Sequence, residues 1–345
     1  MTETIEIHQK VDSIAAEWDE LARRVGASPF ERPGWFSCWL DAFGAAGLEV
    51  VALRRDGRLA AVIPMLSHRG VVRSPTNWHT PRFGPVAEDE GARRAVLGAL
   101  SRDRPRRLEL SFLDSGLVAD LKAVSGAALE NARCIMSSPY VPIDQGWESY
   151  WQGLSKNLRS NVRRRRKRLA ALGEVEVEII EDEDGLAESL EECFRLEAGG
   201  WKGERGTAIL SSPQTARFYE RVAHWATKVR LLRLCLLRLD GRIAAFNLSL
   251  ETDSRHYLLK LGHDISLNDA SPGTVLTAAM VERAFQRGLD SYEFLGDRER
   301  YKLHWAPDCH EMERVQLFAP SLRGRVDRFV QTRGRPIAIY VLRRG

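Results

Sequence analysis

The segment Phe294–Trp305, FLGDRERYKLHW, brings a carboxylate, a phenol and a lysine into a few consecutive residues. Asp297 follows a run that reads as a strand, and ligand-facing residues collect at strand ends in open sheets. Lys302 stands about one helical turn further on, beside Tyr301. Such groups can move a proton, or hold charge that develops on a reacting oxygen. Each also has an architectural use: Asp297 as a helix cap, Tyr301 as core, Lys302 as a surface charge.

A second group is EAGGWKGERGTAIL, Glu197–Leu210. Its glycines break a helix and make a loop. Glu197 and Glu204 are candidate bases, Trp201 a wall for a bound substrate, and Lys202 a second cation. Glu204 can instead pair with Lys202 or Arg205. A third feature is Ser271-Pro272-Gly273-Thr274, which opens a helix that runs to Arg287 and closes at Gly288. Free amides and the positive end of the dipole make such an opening a place for an anion. Gly273 allows close approach, whereas Asp269 adds an opposing charge. An ordinary capped helix reads the same way.

The fourth feature is LSKNLRSNVRRRRKRL, Leu154–Leu169. Leu154, Leu158, Val162, Leu169 and Leu172 mark one apolar helical face, with Ser155 as its cap. Cations crowd the other positions, and like charges on adjacent turns repel. One reading is a phosphate-bearing ligand, with Arg159 and Arg163 as the first candidates. The other is a solvated face paired with the acidic run Glu181–Asp184. Trp78, His79 and Arg82 sit in an irregular loop stiffened by Pro75 and Pro81, where Trp78 and Arg82 can line a substrate cleft. His304, Asp308, Cys309 and His310 cluster near one turn without a partner pair elsewhere. That reads as a loop after Pro307, so no metal site is expected. There is no GxSxG and no P-loop, and no cysteine or serine stands in a nucleophile motif.

The elements that must position these groups repeat. Leu53–Leu66 reads LRRDGRLAAVIPML and Leu237–Leu250 reads LRLDGRIAAFNLSL. Each predicts a hairpin across Asp-Gly, and the distance between the copies points to one domain used twice. Both halves read strand, two helices, antiparallel strands, helix, strand, helix, strand. Ser13 is the expected cap of the first helix, and Trp35, Trp39 and Phe43 share a face of the second. Composition is that of a globular chain, 44% hydrophobic and 28% charged, with 51 Lys and Arg against 47 Asp and Glu. Scattered cysteines argue for a reducing compartment. With no visible signal peptide and no span for a bilayer, a cytoplasmic location is expected. The basic helix also reads as an RNA or membrane patch, against which the net charge of +4 and the lack of interleaved aromatics argue, and no DNA partner is expected.

This element order, with the basic helix, LEAGGWKGERGTAIL and SPGTVLTAAMVERAFQRGLDSYEFLGDRERYKLHW in series, resembles the GNAT acyltransferases. Within them it is most similar to the CelD/BcsL (cellulose-biosynthesis-type) acetyltransferases, which are similar to the Fem peptidoglycan aminoacyltransferases. The resemblance covers about Trp151–Trp305. It implies an α/β (α+β) fold of tandem GNAT-like domains, each a mixed, mostly antiparallel sheet flanked by helices. The division expected is a degenerate domain over 1–145, a basic helical connector over 146–172, an acyltransferase domain over 173–320 and a basic tail over 321–345. It implies acetyl-CoA or another acyl-CoA as co-substrate, with the donor pyrophosphate at Ser271, Pro272, Gly273 and Thr274 and an amine as acceptor, attacked directly. It makes Lys302 a candidate to stabilise charge on the carbonyl and Tyr301 a candidate to protonate a leaving thiolate. The glycine-rich loop usual before the donor helix is reduced here to SPG. An aminoacyl-tRNA donor with a cell-wall precursor, or a non-catalytic scaffold in exopolysaccharide assembly, therefore remain alternatives.

Overall fold

The computed structural model describes residues 2–100, 105–126, 129–199, 206 and 208–334. They form two compact units. Unit 1 takes 1–137 and 311–345, and unit 2 takes 138–310. Each is a mixed, mainly antiparallel sheet flanked by helices.

Unit 1 contains strands β1 (Glu3–His8), β2 (Leu48–Arg55), β3 (Arg58–His68), β4 (Val71–Arg73), β5 (Val86–Ala87) and β6 (Arg107–Leu113). Its helices are α1 (Ala15–Arg24), α2 (Pro33–Phe43), α3 (Glu90–Ala99) and α4 (Ser115–Ser125). Strand β7 (Leu129–Pro142) carries the chain from unit 1 to unit 2, and β13 (Asp308–Phe318) carries it back. Helix α10 (Leu322–Phe329) follows. Trp18, Phe30, Trp35, Phe36 and Phe83 are fully buried, with Trp18 stacked on Phe36 at 5.5 Å. Helix α1 starts without a side-chain cap, because the expected cap Ser13 bonds back to the Lys10 carbonyl at 2.8 Å.

Unit 2 contains α5 (Trp147–Gly153), α6 (Lys156–Ala170), β8 (Val175–Ile180), α7 (Leu186–Ala198), α8 (Pro213–Lys228), β9 (Leu232–Leu239), β10 (Arg242–Glu251), β11 (Arg255–His263), α9 (Pro272–Gln286) and β12 (Ser291–Glu293). Ser155 caps α6, accepting from Leu158 N at 3.2 Å. Helices α5 and α6 are built into this unit's core. Trp147, Tyr150 and Trp151 pack with Phe285 of α9, and Leu158, Val162 and Leu169 join the same cluster.

The repeat in the sequence is a repeat in hydrogen bonds. At both Asp-Gly turns, Asp56-Gly57 and Asp240-Gly241, both residues have positive φ, the conformation that two-residue hairpins favour. Asp56 exchanges bonds with Thr2, and Asp240 exchanges the same bonds with Glu174. Arg54 donates to Glu6 at 2.8 Å and to the Gly57 carbonyl. Arg238 donates to Glu178 at 2.6 Å and to the Gly241 carbonyl. Sheet order also matches: β1-β2-β3-β4-β6-β13 in unit 1 and β8-β9-β10-β11-β12-β7 in unit 2. In each, the fourth and fifth strands are parallel and the sixth is antiparallel to the fifth. The sixth strand of each unit is supplied by a strand that crosses over from the other half of the chain.

On the α9 side of β10, unit 2 buries Asn247, Ser249 and Glu251, where the aligned β3 places Ile63 and Met65. Glu251 accepts from Arg283 at 2.6 Å, Arg233 at 3.1 Å and His256 at 3.0 Å. Burial alone would raise its pKa, but bonds from His256 and Arg283 outweigh that and hold it far below the carboxylate range. Burial holds His256 below its usual 6.5, against the pull of Glu251. For both groups the unfolded chain binds protons more readily, so acid favours unfolding. The His256 contribution is complete above about pH 6.5 and declines below it. The Glu251 contribution is complete above about 4.5 and is lost at lower pH. Glu251→Gln, which strands two arginines, is expected to cost about 3 kcal/mol in urea unfolding. It should also flatten the acid limb of a melting-temperature scan below pH 4.5.

Candidate active site

Strands β11 and β12 run parallel, but they pair only from Arg255↔Ser291 to Tyr257↔Glu293. Strand β11 then continues six residues to His263, while the chain after Glu293 turns away. A wedge opens between two parallel strands at the middle of the sheet. In unit 1 the corresponding pair is bridged past its ladder. Ser74 N donates to the Glu109 carbonyl at 2.9 Å, and Ser111 N donates to Ser74 Oγ at 3.1 Å.

The turn that opens the wedge is strained. Leu295 has φ 52° and Gly296 φ 61°, two consecutive left-handed residues, and for leucine this is costly. Lys302 holds the turn. It is only 6% exposed, and Nζ donates to the Leu295 carbonyl at 2.7 Å and the Asp297 carbonyl at 3.3 Å. Glu299 completes its shell at 2.9 Å. Its ammonium is thus engaged by the main chain of the loop that Asp297 ends. The Asp297 side is exposed, and Tyr301 lies beside the lysine with its ring centroid 5.8 Å from Nζ. Residues 302–304 form one turn of 3-10 helix, pinned by Tyr150 donating to the Trp305 carbonyl at 2.8 Å.

At the point where the strands part, Glu293, which no motif in the sequence marks, stands beside His310. Glu293, buried, accepts from Ser291 Oγ at 2.6 Å and meets His310 Nε2 at 3.2 Å. The His310 ring stacks on Tyr140 at 3.9 Å and keeps a third of its surface exposed. A neutral imidazole that donates through Nε2 leaves its Nδ1 lone pair to take a proton. His310 lies in β13, which begins at Asp308, and not in a loop after Pro307. The alternation in DCHEMERVQLF was the available signal, obscured by Pro307 and the charges. On the same side of the sheet, Glu197 at the end of α7 is buried and accepts from Ile209 N at 2.8 Å. A side chain at Gly262 of β11 would collide with Glu197 and Phe246, so only glycine lets α7 lie this close. Trp201, Lys202 and Glu204 lie outside the described residues.

The far end of β11 meets the start of α9. The His263 ring sits against Gly273, and Nε2 bonds Asn268 at 2.9 Å. Ser271 precedes the helix with φ 46° and makes no side-chain cap. Its hydroxyl donates instead to the Asn268 carbonyl, and its own carbonyl accepts from Thr274. Pro272 brings no amide hydrogen, leaving the Gly273 amide at the open end. Helix α6 packs along α9 and delivers cations here. Arg165 donates to Thr274 Oγ1 at 2.7 Å, and Arg168 to the Asp269 carbonyl at 3.0 Å. No carboxylate pairs with Arg165 among the described residues, and burial with the neighbouring Arg164 lowers its pKa.

The two arginines singled out from sequence go elsewhere. Arg159 folds back on the Leu154 carbonyl and Gln152, and Arg163 is exposed on a different face from Arg165. The acidic run does not neutralise α6: Glu181 pairs with Arg233, and Glu183 binds His224 and Thr227. In unit 1 the helix in the corresponding place, α3, is capped by Asp89, which accepts from Ala92 N at 2.7 Å and is held by Arg55. A fixed carboxylate occupies the position where unit 2 leaves a helix start lined with cations. Also in unit 1, Trp78 is 75% exposed with its edge on Phe112, and Arg82 pairs with Asp114 at 3.6 Å.

Residues 156–303 match the acetyltransferase (GNAT) domain family. The fold agrees. FemX superposes with TM-score 0.58 at 13% identity, over 91% of this chain and 97% of that one. A conserved protein of unknown function from Bacteroides thetaiotaomicron gives 0.61 at 14%, over 91% and 100%. L-PGS from Bacillus licheniformis gives 0.57 at 11%, over 89% and 93%. None of the curated proteins matches significantly in sequence. The chain carries a GNAT-type acetyltransferase domain in unit 2, and the class of enzyme it defines is an acyltransferase.

Lys302→Met keeps the bulk but removes the donor to two carbonyls. It is expected to cost about 2 kcal/mol in urea unfolding.

Proposed function

We propose that unit 2 is an acyl-CoA-dependent N-acyltransferase of the CelD/BcsL type, and that unit 1 is a copy without a donor site. The observation that carries the reading is Arg165: half-buried, without a carboxylate among the described residues, and bonded to the first turn of α9. A cation in that position is satisfied by an anion from outside the protein, and the diphosphate of coenzyme A supplies one. From His263 at the helix start, β11 runs back about 20 Å to Tyr257, where the wedge closes. An extended acyl-pantetheine arm lies naturally along that edge, with its thioester near Glu293 and His310.

In this reading the acceptor amine attacks the thioester carbonyl directly. The new C–N bond forms as the C–S bond breaks. The amine loses a proton to His310 Nδ1, and the departing sulfur leaves as thiolate and is then protonated. Glu293 stabilises the imidazolium and keeps its ring turned. Lys302 and the Leu295–Gly296 turn hold the wedge open, so Lys302 is a positioning residue, and Asp297 and Tyr301 flank it. Ser271, Pro272, Gly273 and Thr274 remain the donor-binding segment, with Arg165 and Arg168 replacing Arg159 and Arg163.

A second reading, a Fem-like aminoacyl-tRNA-dependent transferase, is favoured by the exposed cations Arg163 and Lys167 of α6. It requires binding to aminoacyl-tRNA that weakens steeply with salt, and a flat response removes it.

Calorimetric titration with acetyl-CoA and longer acyl-CoAs should show binding, with Arg165→Ala about tenfold weaker. Absence of binding to all of them ends the acyl-CoA reading. In a free-thiol assay over a panel of primary amines, His310→Asn should lose about a hundredfold in kcat/KM. An unchanged rate would remove His310 as the base.

A further inference from the structure

Helix α10 exposes what helices usually bury. Leu322 is 80% exposed, Val326 56%, Phe329 60% and Val330 49%. At about 3.6 residues per turn, these four fall on one arc of roughly 100°. Arg323 borders that arc on one side and Arg325 on the other, with Arg328 beyond, and all three are exposed.

The orientation is fixed from the opposite side of the helix. Asp327 accepts from Arg107 at 3.0 Å and pairs with Arg106 at 3.3 Å, both in unit 1. Gly324 is buried, and any side chain there would run into the Ala319 carbonyl. Ser321 caps the helix through Gly324 N at 3.2 Å. The one acidic residue of the segment is spent on anchoring, and the apolar arc is turned outward with a guanidinium on each side.

We infer that α10 is a docking element that lies in the surface of an anionic lipid bilayer. Its apolar arc would enter the acyl boundary, and Arg323, Arg325 and Arg328 would lie among the headgroup phosphates. Charge selects this occupant. A second copy of the helix would set arginine against arginine. The sequence after the helix adds Arg333, Arg335, Arg343 and Arg344 around the apolar run Ile337–Leu342 with no acidic residue, which adds to the positive charge an anionic surface would meet. A lipid surface offers apolar depth and negative charge together. Among the described residues no helix is long and apolar enough to cross a membrane, so the association is one of surface attachment. This inference is independent of the acyl donor.

The test is cosedimentation of the full chain with vesicles of phosphatidylcholine alone or with about one-third phosphatidylglycerol. The expected result is binding to the anionic vesicles only, weakened by salt. Replacing Leu322, Val326 and Phe329 together by serine should abolish it, with a cooperative thermal transition retained to show that the fold persists. Arg323→Gln and Arg325→Gln should each weaken binding about fivefold. Three results overturn the inference: no binding to anionic vesicles, equal binding by the triple-serine variant, or a dimer in light scattering that the triple-serine variant disperses.

Discussion

The interaction on which the candidate site depends is the bond from the buried Lys302 ammonium to the Leu295 carbonyl. Leucine resists the left-handed conformation that it holds there, and a lysine enclosed by carbonyls compensates for that strain. The consequence is directional. The chain parts from β11 directly after Glu293, and β11 continues without its parallel neighbour. If Leu295 relaxed to an extended conformation, β12 could lengthen along β11 and close the wedge, as Ser74 and Ser111 close its counterpart in unit 1.

The two units show how one framework is kept while the groups mounted on it differ. Hairpin, turn clasp and Arg–Glu cross-strand pair are duplicated nearly bond for bond. The differences fall where chemistry would sit. Unit 1 caps its helix with Asp89, bridges its strands through Ser74 and fills the aligned sheet positions with Ile63 and Met65. Unit 2 leaves its helix start to Arg165, Arg168 and His263, and places a buried polar stripe on β10. Fixed charge thus distinguishes the halves more sharply than shape does: a carboxylate already at a helix N-terminus repels the anion that the helix would otherwise bind.

Much of this was legible along the chain. The two Asp-Gly hairpins, the proline-started helix at 272 and the apolar face of α6 are local signals, set by φ preferences and by period. Their reading carried over to the fold because neighbouring residues produce them. The roles of particular charges were not legible in the same way. Arg159 and Arg163 were as plausible from sequence as Arg165, since a run of arginines on a helix looks alike until a partner helix selects a face. Lys302 read as a reactive cation because sequence shows that it is charged, and not that carbonyls enclose it.

The sequence by itself determined the elements, their duplication and the class of chemistry, because propensity, turn geometry and hydrophobic period act over a few residues. Only the tertiary structure decided which charges face one another. It set His310 beside Glu293, Arg165 on Thr274 and Asp327 under the basic strand end. Those pairings join residues distant in the chain, which only the order of strands and the packing of helices bring together.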